Sequence, residues 1–324
     1  MGRRKAGRHI NGILLLDKSA GISSNSALQR VRRLFDANKA GHTGSLDPLA
    51  TGVLPVCFGE ATKFSQFLLN ADKAYRVKAR FGLRTDSCDV DGATIDTADT
   101  SEVTQLQVEA AMEPFRGDIE QVPPMVSALK HEGQRLYKLA RQGIEVERPA
   151  RPVSIRDFCL LEFEAGPEAT AVFEVECSKG TYIRSLMSDL GDALGFGATV
   201  QELRRISSGG FGESDCVSEE QLSVEAEKQG VEFLDAHLLP MELLMEQFER
   251  VYLNASSAEF FMLGQAVMLP QTYRFEAEAA IVRVFREEGG FESGSEFNSE
   301  STFLGAGELT DDAKVQPKRL RADI

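Results

Sequence analysis

The chain has 324 residues, 42% of them hydrophobic, enough for one large domain plus a smaller one, and no apolar run approaches bilayer-spanning length. Five scattered cysteines (Cys57, Cys88, Cys159, Cys177, Cys216) and four scattered histidines argue against a disulfide framework, a zinc site or any other metal, and the short basic start lacks a signal-peptide core, so the chain reads as cytoplasmic. The formal charge of −14 is uneven: residues 1–43 hold nine Lys/Arg against Asp17 and Asp36, a net +7, leaving −21 elsewhere. Charges more than about 8 Å apart are largely screened at physiological ionic strength, so a basic face could hold phosphates while the acidic bulk points away.

In chain order, Asn11 to Asp17 reads as a buried strand. Ser23-Ser24-Asn25 offers N-cap chemistry for a helix that places Leu28, Val31, Leu34 and Phe35 on one face, with Arg30, Arg32 and Arg33 on the wet side or toward phosphate. Val53 to Phe58 reads as a strand, and Ala61, Phe64, Phe67 and Leu68 follow at helical spacing. Tyr75, Val77, Ala79 and Phe81 then alternate with Arg76, Lys78 and Arg80, a strand with one core face and one cationic face. Residues 102–115 read as helix, Val122-Pro123-Pro124 opens a segment leading to a short basic helix near 133–140, and strands are expected near 151–163 and 171–178. Lys179 to Arg184 turns into a helix carrying Leu186, Leu190 and Leu194. Composition shifts after residue 245 toward a small β domain: a helix capped at Asn254 and ending at Gly264, strand-like runs at Ala280–Phe285 and Thr302–Leu304, an acidic Gly/Ser-rich stretch over 287–300 and a basic ending over 314–321.

Gly41-His42-Thr43-Gly44-Ser45-Leu46-Asp47-Pro48-Leu49-Ala50-Thr51-Gly52 cannot continue as helix or strand, because its glycines and proline break both. It is a tight loop presenting one carboxylate, Asp47, among glycines and hydroxyls, suited to a nucleophile or general base. A phosphoaspartyl site would want a second Asp where Leu49 stands. The carboxylates of Asp86-Ser87-Cys88-Asp89-Val90-Asp91-Gly92 do not follow EF-hand order, and there is no P-loop or dinucleotide fingerprint.

Five separated segments resemble the TruB family of tRNA pseudouridine synthases: Gly12 to Gly21, with Ser19 where the family usually has proline; Gly41 to Gly52; Lys73-Ala74-Tyr75; Lys179-Gly180-Thr181-Tyr182-Ile183-Arg184; and Leu203-Arg204-Arg205 with Ser208-Gly209 and Phe211. The order and spacing are similar to the bacterial branch over about residues 10–215. The resemblance implies an α+β catalytic domain over 1–245, with a mixed, mainly antiparallel central sheet flanked by helices, and a PUA-like RNA-binding β domain over 246–324. It also implies an isomerase that converts uridine 55 of the tRNA T-loop to pseudouridine without a cofactor, as a monomer with no obligatory protein partner.

In that scheme Asp47, Tyr75 and Arg184 are catalytic, while His42, Tyr75, Tyr182, Leu203 and Lys18 bind substrate. Asp47 attacks the sugar or the base ring, or starts proton removal at the sugar; the residues leave these routes open. Burial disfavours a charged carboxylate, so a fixed guanidinium should face it, and Arg184 is the expected partner. Tyr75 stacks on the base and accepts or relays a proton, Tyr182 packs beside it, Leu203 forms an apolar wall and His42 fills the space of the flipped nucleotide. Arg319 and Arg321 are expected to make any C-terminal RNA contact, with 287–300 pointing away. The alternatives are a tRNA-binding or tRNA-folding module in which catalysis is secondary, and a guide-RNA-dependent relative, whose long basic tails this chain lacks.

Overall fold

The computed structural model describes residues 7–127, 129–269, 280–287 and 301–324. Its main sheet uses β1 (Gly12–Lys18), β2 (Ala40–His42), β3 (Thr51–Phe58), β4 (Lys73–Phe81), β5 (Gly117–Gln121), β6 (Arg151–Glu164), β7 (Thr170–Cys177), β8 (Ala198–Ser208), β9 (Phe211–Gly212) and β10 (Val217–Ser218). The strand order is β10-β1-β3-β8-β4-β7-β6-β5, with β9 on β8 and β2 on β3. β10–β1 and β3–β8 pair in parallel and every other neighbour is antiparallel, the mixed, mainly antiparallel sheet that the family resemblance implies.

Helices α1 (Ser24–Leu34), α2 (Ser65–Leu69), α3 (Gln105–Met112), α4 (Leu136–Ala140), α5 (Ile183–Ala193) and α6 (Glu219–Gln229) accompany the sheet. α1 starts where Ser23 accepts from the Ser26 amide. α3 is shorter than the expected 102–115 because a Thr104–Gln107 capping box sets its start and Pro114 turns its last residues into a 3₁₀ turn. The helical spacing after Ala61 resolves into a 3₁₀ turn, Gly59–Lys63, and the five-residue α2.

β1 is apolar at successive positions because both its faces are covered. Leu14 and Leu16 join a large core with Leu28, Val31 and Phe35 of the α1 segment and Leu186, Met187 and Leu190 of α5. Ile13 and Leu15 face a second core with Phe64, Phe67 and Met245. β4 faces the large core with Tyr75, Val77, Ala79 and Phe81. Its outward Arg76 and Arg80 are paired with Glu174 and Glu168, so two of the three cations of that row are neutralised.

The C-terminal region holds α7 (Ala255–Met262) and a second sheet of β11 (Arg250–Leu253), β12 (Val267–Met268), β13 (Ile281–Glu287), β14 (Ser301–Leu309) and β15 (Lys314–Leu320), in the order β11-β13-β14-β15-β12. The basic ending is thus a strand. Phe285, Phe303 and Ala306 of this sheet complete the second core, so the two sheets share apolar contacts. The acidic stretch, beyond Glu287, lies outside the described residues.

Gly52, the second residue of β3, has φ +98°, and a Cβ there would stand 2.2 Å from the Arg205 carbonyl oxygen of β8. Only glycine permits that approach. Gly52→Ala should lower the urea unfolding midpoint by an amount equivalent to about 1–3 kcal/mol or more, from backbone strain plus the clash; an unchanged midpoint would refute this account of the β3–β8 junction.

Candidate active site

The irregular segment is shorter than the expected 41–52, because Gly41 and His42 pair within β2 and Thr51 and Gly52 within β3; the 43–50 loop between these strands is tied down on both sides of Asp47. Ser24 Oγ accepts from the Leu46 amide at 2.7 Å and contacts the Leu46 carbonyl at 3.0 Å. The Gly21 amide donates to the Pro48 carbonyl at 2.9 Å. Lys18 Nζ, buried at the end of β1, donates to the carbonyls of Ser19 (2.8 Å), Pro48 (3.3 Å) and Ala50 (2.6 Å). Leu46 and Ala50 anchor the loop in the large core. The Asp47 side chain, between two tethered neighbours, stays 40% exposed.

Arg184, in the first turn of α5, reaches this carboxylate: its Nε lies 2.9 Å from Asp47 Oδ2 while its own side chain is 3% exposed. The contact is an ion pair outside hydrogen-bond alignment. The rest of the guanidinium is committed, Nη1 donating to the Ser87 carbonyl and Nη2 to the Val126 carbonyl, each at 2.8 Å. Nη1 also lies 3.4 Å from Asp89 Oδ2. Burial pushes the Asp89 carboxyl up, opposed by hydrogen bonding from Ser87 and by the Arg184 charge. Arg184 therefore stands between a buried acid and a solvent-facing one.

The other expected residues are placed in different ways. Tyr75 lies on β4 facing the large core, in the same cluster as Leu203. Burial raises its phenol pKa, with Arg205 opposing and the Asp47 charge adding to the rise. Tyr182 precedes α5; its amide donates to Gln121 Oε1 at 2.8 Å and its carbonyl accepts from Gln121 Nε2 at 3.1 Å. Burial raises the Tyr182 phenol too, Ser127 opposing and Asp47 adding. Both rings therefore sit within the field of the Asp47 carboxylate. His42 ends β2, half-buried, its Nδ1 enclosed without a hydrogen-bond partner among the described residues. Burial holds its ring pKa below the usual range, and Arg205 adds to that.

Lys18 takes a place other than the one expected of it. With 1% exposure it grips the loop from beneath, so it supports Asp47 and presents no ammonium to a ligand. Part of the basic face of residues 1–43 is likewise committed to structure, while Arg33 and Lys39 are exposed. Arg8 pairs with Asp235, Arg30 with Glu219, and Arg32 donates to the carbonyls of Ala37 and Asn38 beyond α1; residues 3–5 lie outside the described ones. In the C-terminal sheet Arg321 is paired with Asp323 at 2.9 Å, whereas Arg319 is exposed.

Three residues at this place had no expected role. Asp89 belongs to the 86–92 loop, whose run of carboxylates carries no sequence signal beyond the calcium pattern it fails to match. Gln121 had no sequence signal. Arg205 lies in the quoted Leu203-Arg204-Arg205 run, yet nothing in that run distinguishes it from Arg204, which pairs with Asp17 at 3.0 Å and Glu213 at 2.6 Å.

Arg184→Met should destabilise the protein by about 3–5 kcal/mol in urea unfolding, since it leaves Asp89 buried without its cation; a loss under about 1 kcal/mol would contradict the shared ion pair. Burial lowers the Lys18 amine from 10.5 to about 8, the Asp47 charge opposing. Between those values the unfolded chain holds the proton and the folded chain does not, so the contribution of Lys18 to stability rises with pH across that window and is least below it. The urea-midpoint advantage of wild type over Lys18→Met should grow accordingly from pH 8 to pH 10; a pH-independent difference would refute it.

Comparison with known proteins places this geometry in a family. Residues 32–183 match the model for the TruB family pseudouridylate synthase (N terminal domain), and residues 184–246 match the tRNA pseudouridylate synthase B C-terminal domain. The chain is 52% identical over 321 residues to the tRNA pseudouridine synthase B of Saccharophagus degradans, covering 99% of each chain. It is 47% identical over 313 residues to that of Coxiella burnetii, covering 97% of this chain and 95% of the relative. Among solved structures, the archaeal box H/ACA sRNP Nop10-Cbf5 complex contains a chain that superposes with a TM-score of 0.68 at 24% identity, covering 95% of this chain and 85% of that one, a likeness of fold. A Cbf5-Nop10-Gar1 complex gives the same TM-score at 25% identity, covering 97% and 84%. With half its residues identical to a full-length relative and the two family domains in sequence, the chain belongs to the TruB family of pseudouridylate synthases.

Proposed function

We propose that this chain is an isomerase that converts uridine 55 in the T-loop of tRNA to pseudouridine. The observation that carries the reading is the Asp47 carboxylate, open to solvent, held in place by its loop and ion-paired to a buried guanidinium. Membership of a family whose relatives are named tRNA pseudouridine synthase B supplies the substrate class. The domain reading is a catalytic domain over 1–245 and a PUA-like RNA-binding domain over 246–324, supported by the separate sheet that begins at Arg250. The enzyme acts in the cytoplasm as a monomer, on tRNA without guide RNA or an obligatory protein partner.

The target nucleoside is swung out of its stack, at a cost that a hairpin loop lowers because its bases are already exposed. The C1′–N1 bond breaks, the uracil turns, C5 bonds to C1′, and the proton lost from C5 is balanced by one gained at N1, with no net change in oxidation state. Asp47 assists as the nucleophile, at the sugar or the ring, or as the base that starts proton removal from the sugar. Arg184 balances the charge of the carboxylate and orients it. Tyr75 stacks on the uracil and takes or relays the C5 proton; a neutral phenol, favoured by its burial, suits stacking first and proton relay later. Tyr182 and Leu203 flank the base, and a neutral His42 ring fits the space the base leaves.

The test is incubation of purified protein with unmodified tRNA, followed by pseudouridine mapping. Wild type should modify position 55 of the bare transcript. Asp47→Asn should lose product formation by on the order of 10⁴-fold or more, with tRNA affinity retained. Turnover by Asp47→Asn near the wild-type rate would end the proposal.

A further inference from the structure

Arg205 is a buried cation with an unusual set of partners. It is 1% exposed, at the top of the fully buried side chains by volume. A guanidinium does not shed its charge, and burying one without compensation is costly. Among the described residues no carboxylate lies within 4.0 Å of it. Two of its hydrogen bonds go to main-chain oxygens, Nε donating to the Val53 carbonyl at 2.7 Å and Nη2 to the Gly44 carbonyl at 3.4 Å, and the guanidinium also meets the Tyr75 phenol. These two carbonyls bracket the loop that carries Asp47. A Cβ on Gly44 would lie 3.8 Å from Nη1, so the loop rests directly on the guanidinium. In the sheet, Arg205 stands opposite Gly52 on one side and Tyr75 on the other.

One side chain thus touches both ends of the loop and neighbours the strand bearing Tyr75. Its charge is also felt across the site, lowering the Lys18 and His42 pKa values and opposing the burial-driven rise at Tyr75. Cys177 of β7 and Asp47 are the other titratable groups acting on the Tyr75 ring. A cation needed only to fill volume would be replaceable by an apolar side chain at lower cost, whereas this one meets main-chain oxygens at both loop ends.

We propose that Arg205 is a positioning residue for the isomerisation: its guanidinium clamps the two ends of the Asp47 loop against β8 and fixes a positive charge behind Tyr75 and His42. It acts through these groups without touching the nucleotide. The inference rests on the proposed function, because it assigns a role in that same reaction.

The test compares wild type, Arg205→Lys and Arg205→Met in single-turnover pseudouridine formation at saturating tRNA, with tRNA affinity, urea unfolding and NMR titration of the His42 ring in the free protein. Arg205→Lys keeps the charge and loses the fork, so its rate should fall about tenfold with the His42 midpoint unmoved. Arg205→Met loses both and should fall about hundredfold, the scale of a small misplacement of reacting groups, with tRNA affinity retained and the His42 midpoint moved upward. A rate for Arg205→Lys within about twofold of wild type overturns the clamp, and this arm decides even if Arg205→Met fails to fold. A folded Arg205→Met that is no slower than Arg205→Lys, or whose His42 midpoint is unmoved, overturns the electrostatic role. Wild type that makes no pseudouridine would instead sink the underlying function, a separate outcome, since the His42 titration needs no activity.

Discussion

A short loop with few side chains to bury can hold one conformation only if something else bonds its backbone. Here the loop around Asp47 is held by donors that reach it from beneath: Lys18 on the Pro48 and Ala50 carbonyls, Ser24 at Leu46, and Arg205 on Gly44 and Val53. Hydrogen bonds to charged groups contribute roughly 1.5–3 kcal/mol each, enough for several of them to offset the desolvation of two buried cations. The Lys18 amine, pushed down to about 8, still registers that cost. The consequence is functional. Because its own loop is bonded from below, the Asp47 carboxylate has no local task and projects outward to Arg184.

Arg184 divides its attention unequally. Two carbonyls and Asp89 hold it inside the protein, and Asp47 meets its Nε from the solvent side without hydrogen-bond alignment. The buried contacts lie in the lower dielectric and dominate the position of the guanidinium. The exposed carboxylate gains charge compensation and an orientation, yet keeps lone pairs free. This asymmetry suits a group that must stay ionised and still react.

Much of the scaffold could be read in advance, for physical reasons that differ from strand to strand. β1 is apolar at every position from Ile13 to Leu16 because two cores flank it, whereas β4 alternates because a single core does. Ser23 and Asn254 advertised their helices through cap chemistry. Other elements were missed for equally physical reasons. α6 is announced only by a Ser218–Gln221 capping box and buries one residue, Leu222, and β15 is a polar strand recognisable only by its neighbours. Of the site, the Asp47 loop and Arg184 could be picked out because a glycine-rich break and a family motif mark them. Asp89, Gln121 and Arg205 could not, since their importance comes from where the sheet and α5 bring them.

The sequence alone determined which residue types were available for chemistry: a lone carboxylate in a segment whose glycines and proline interrupt regular structure, two tyrosines, and an arginine in a family motif. Local rules suffice for that, because backbone preferences and motifs act within a few residues. Tertiary structure decided which cations serve and which support. Lys18 and Arg205 look like surface charges along the chain and become loop clamps only when β1, β3 and β8 pair, while Arg204, one residue away, faces Asp17 and Glu213. Side chains alternate across a strand, so neighbouring arginines take opposite sides, and only the register of the assembled sheet assigns each its partner.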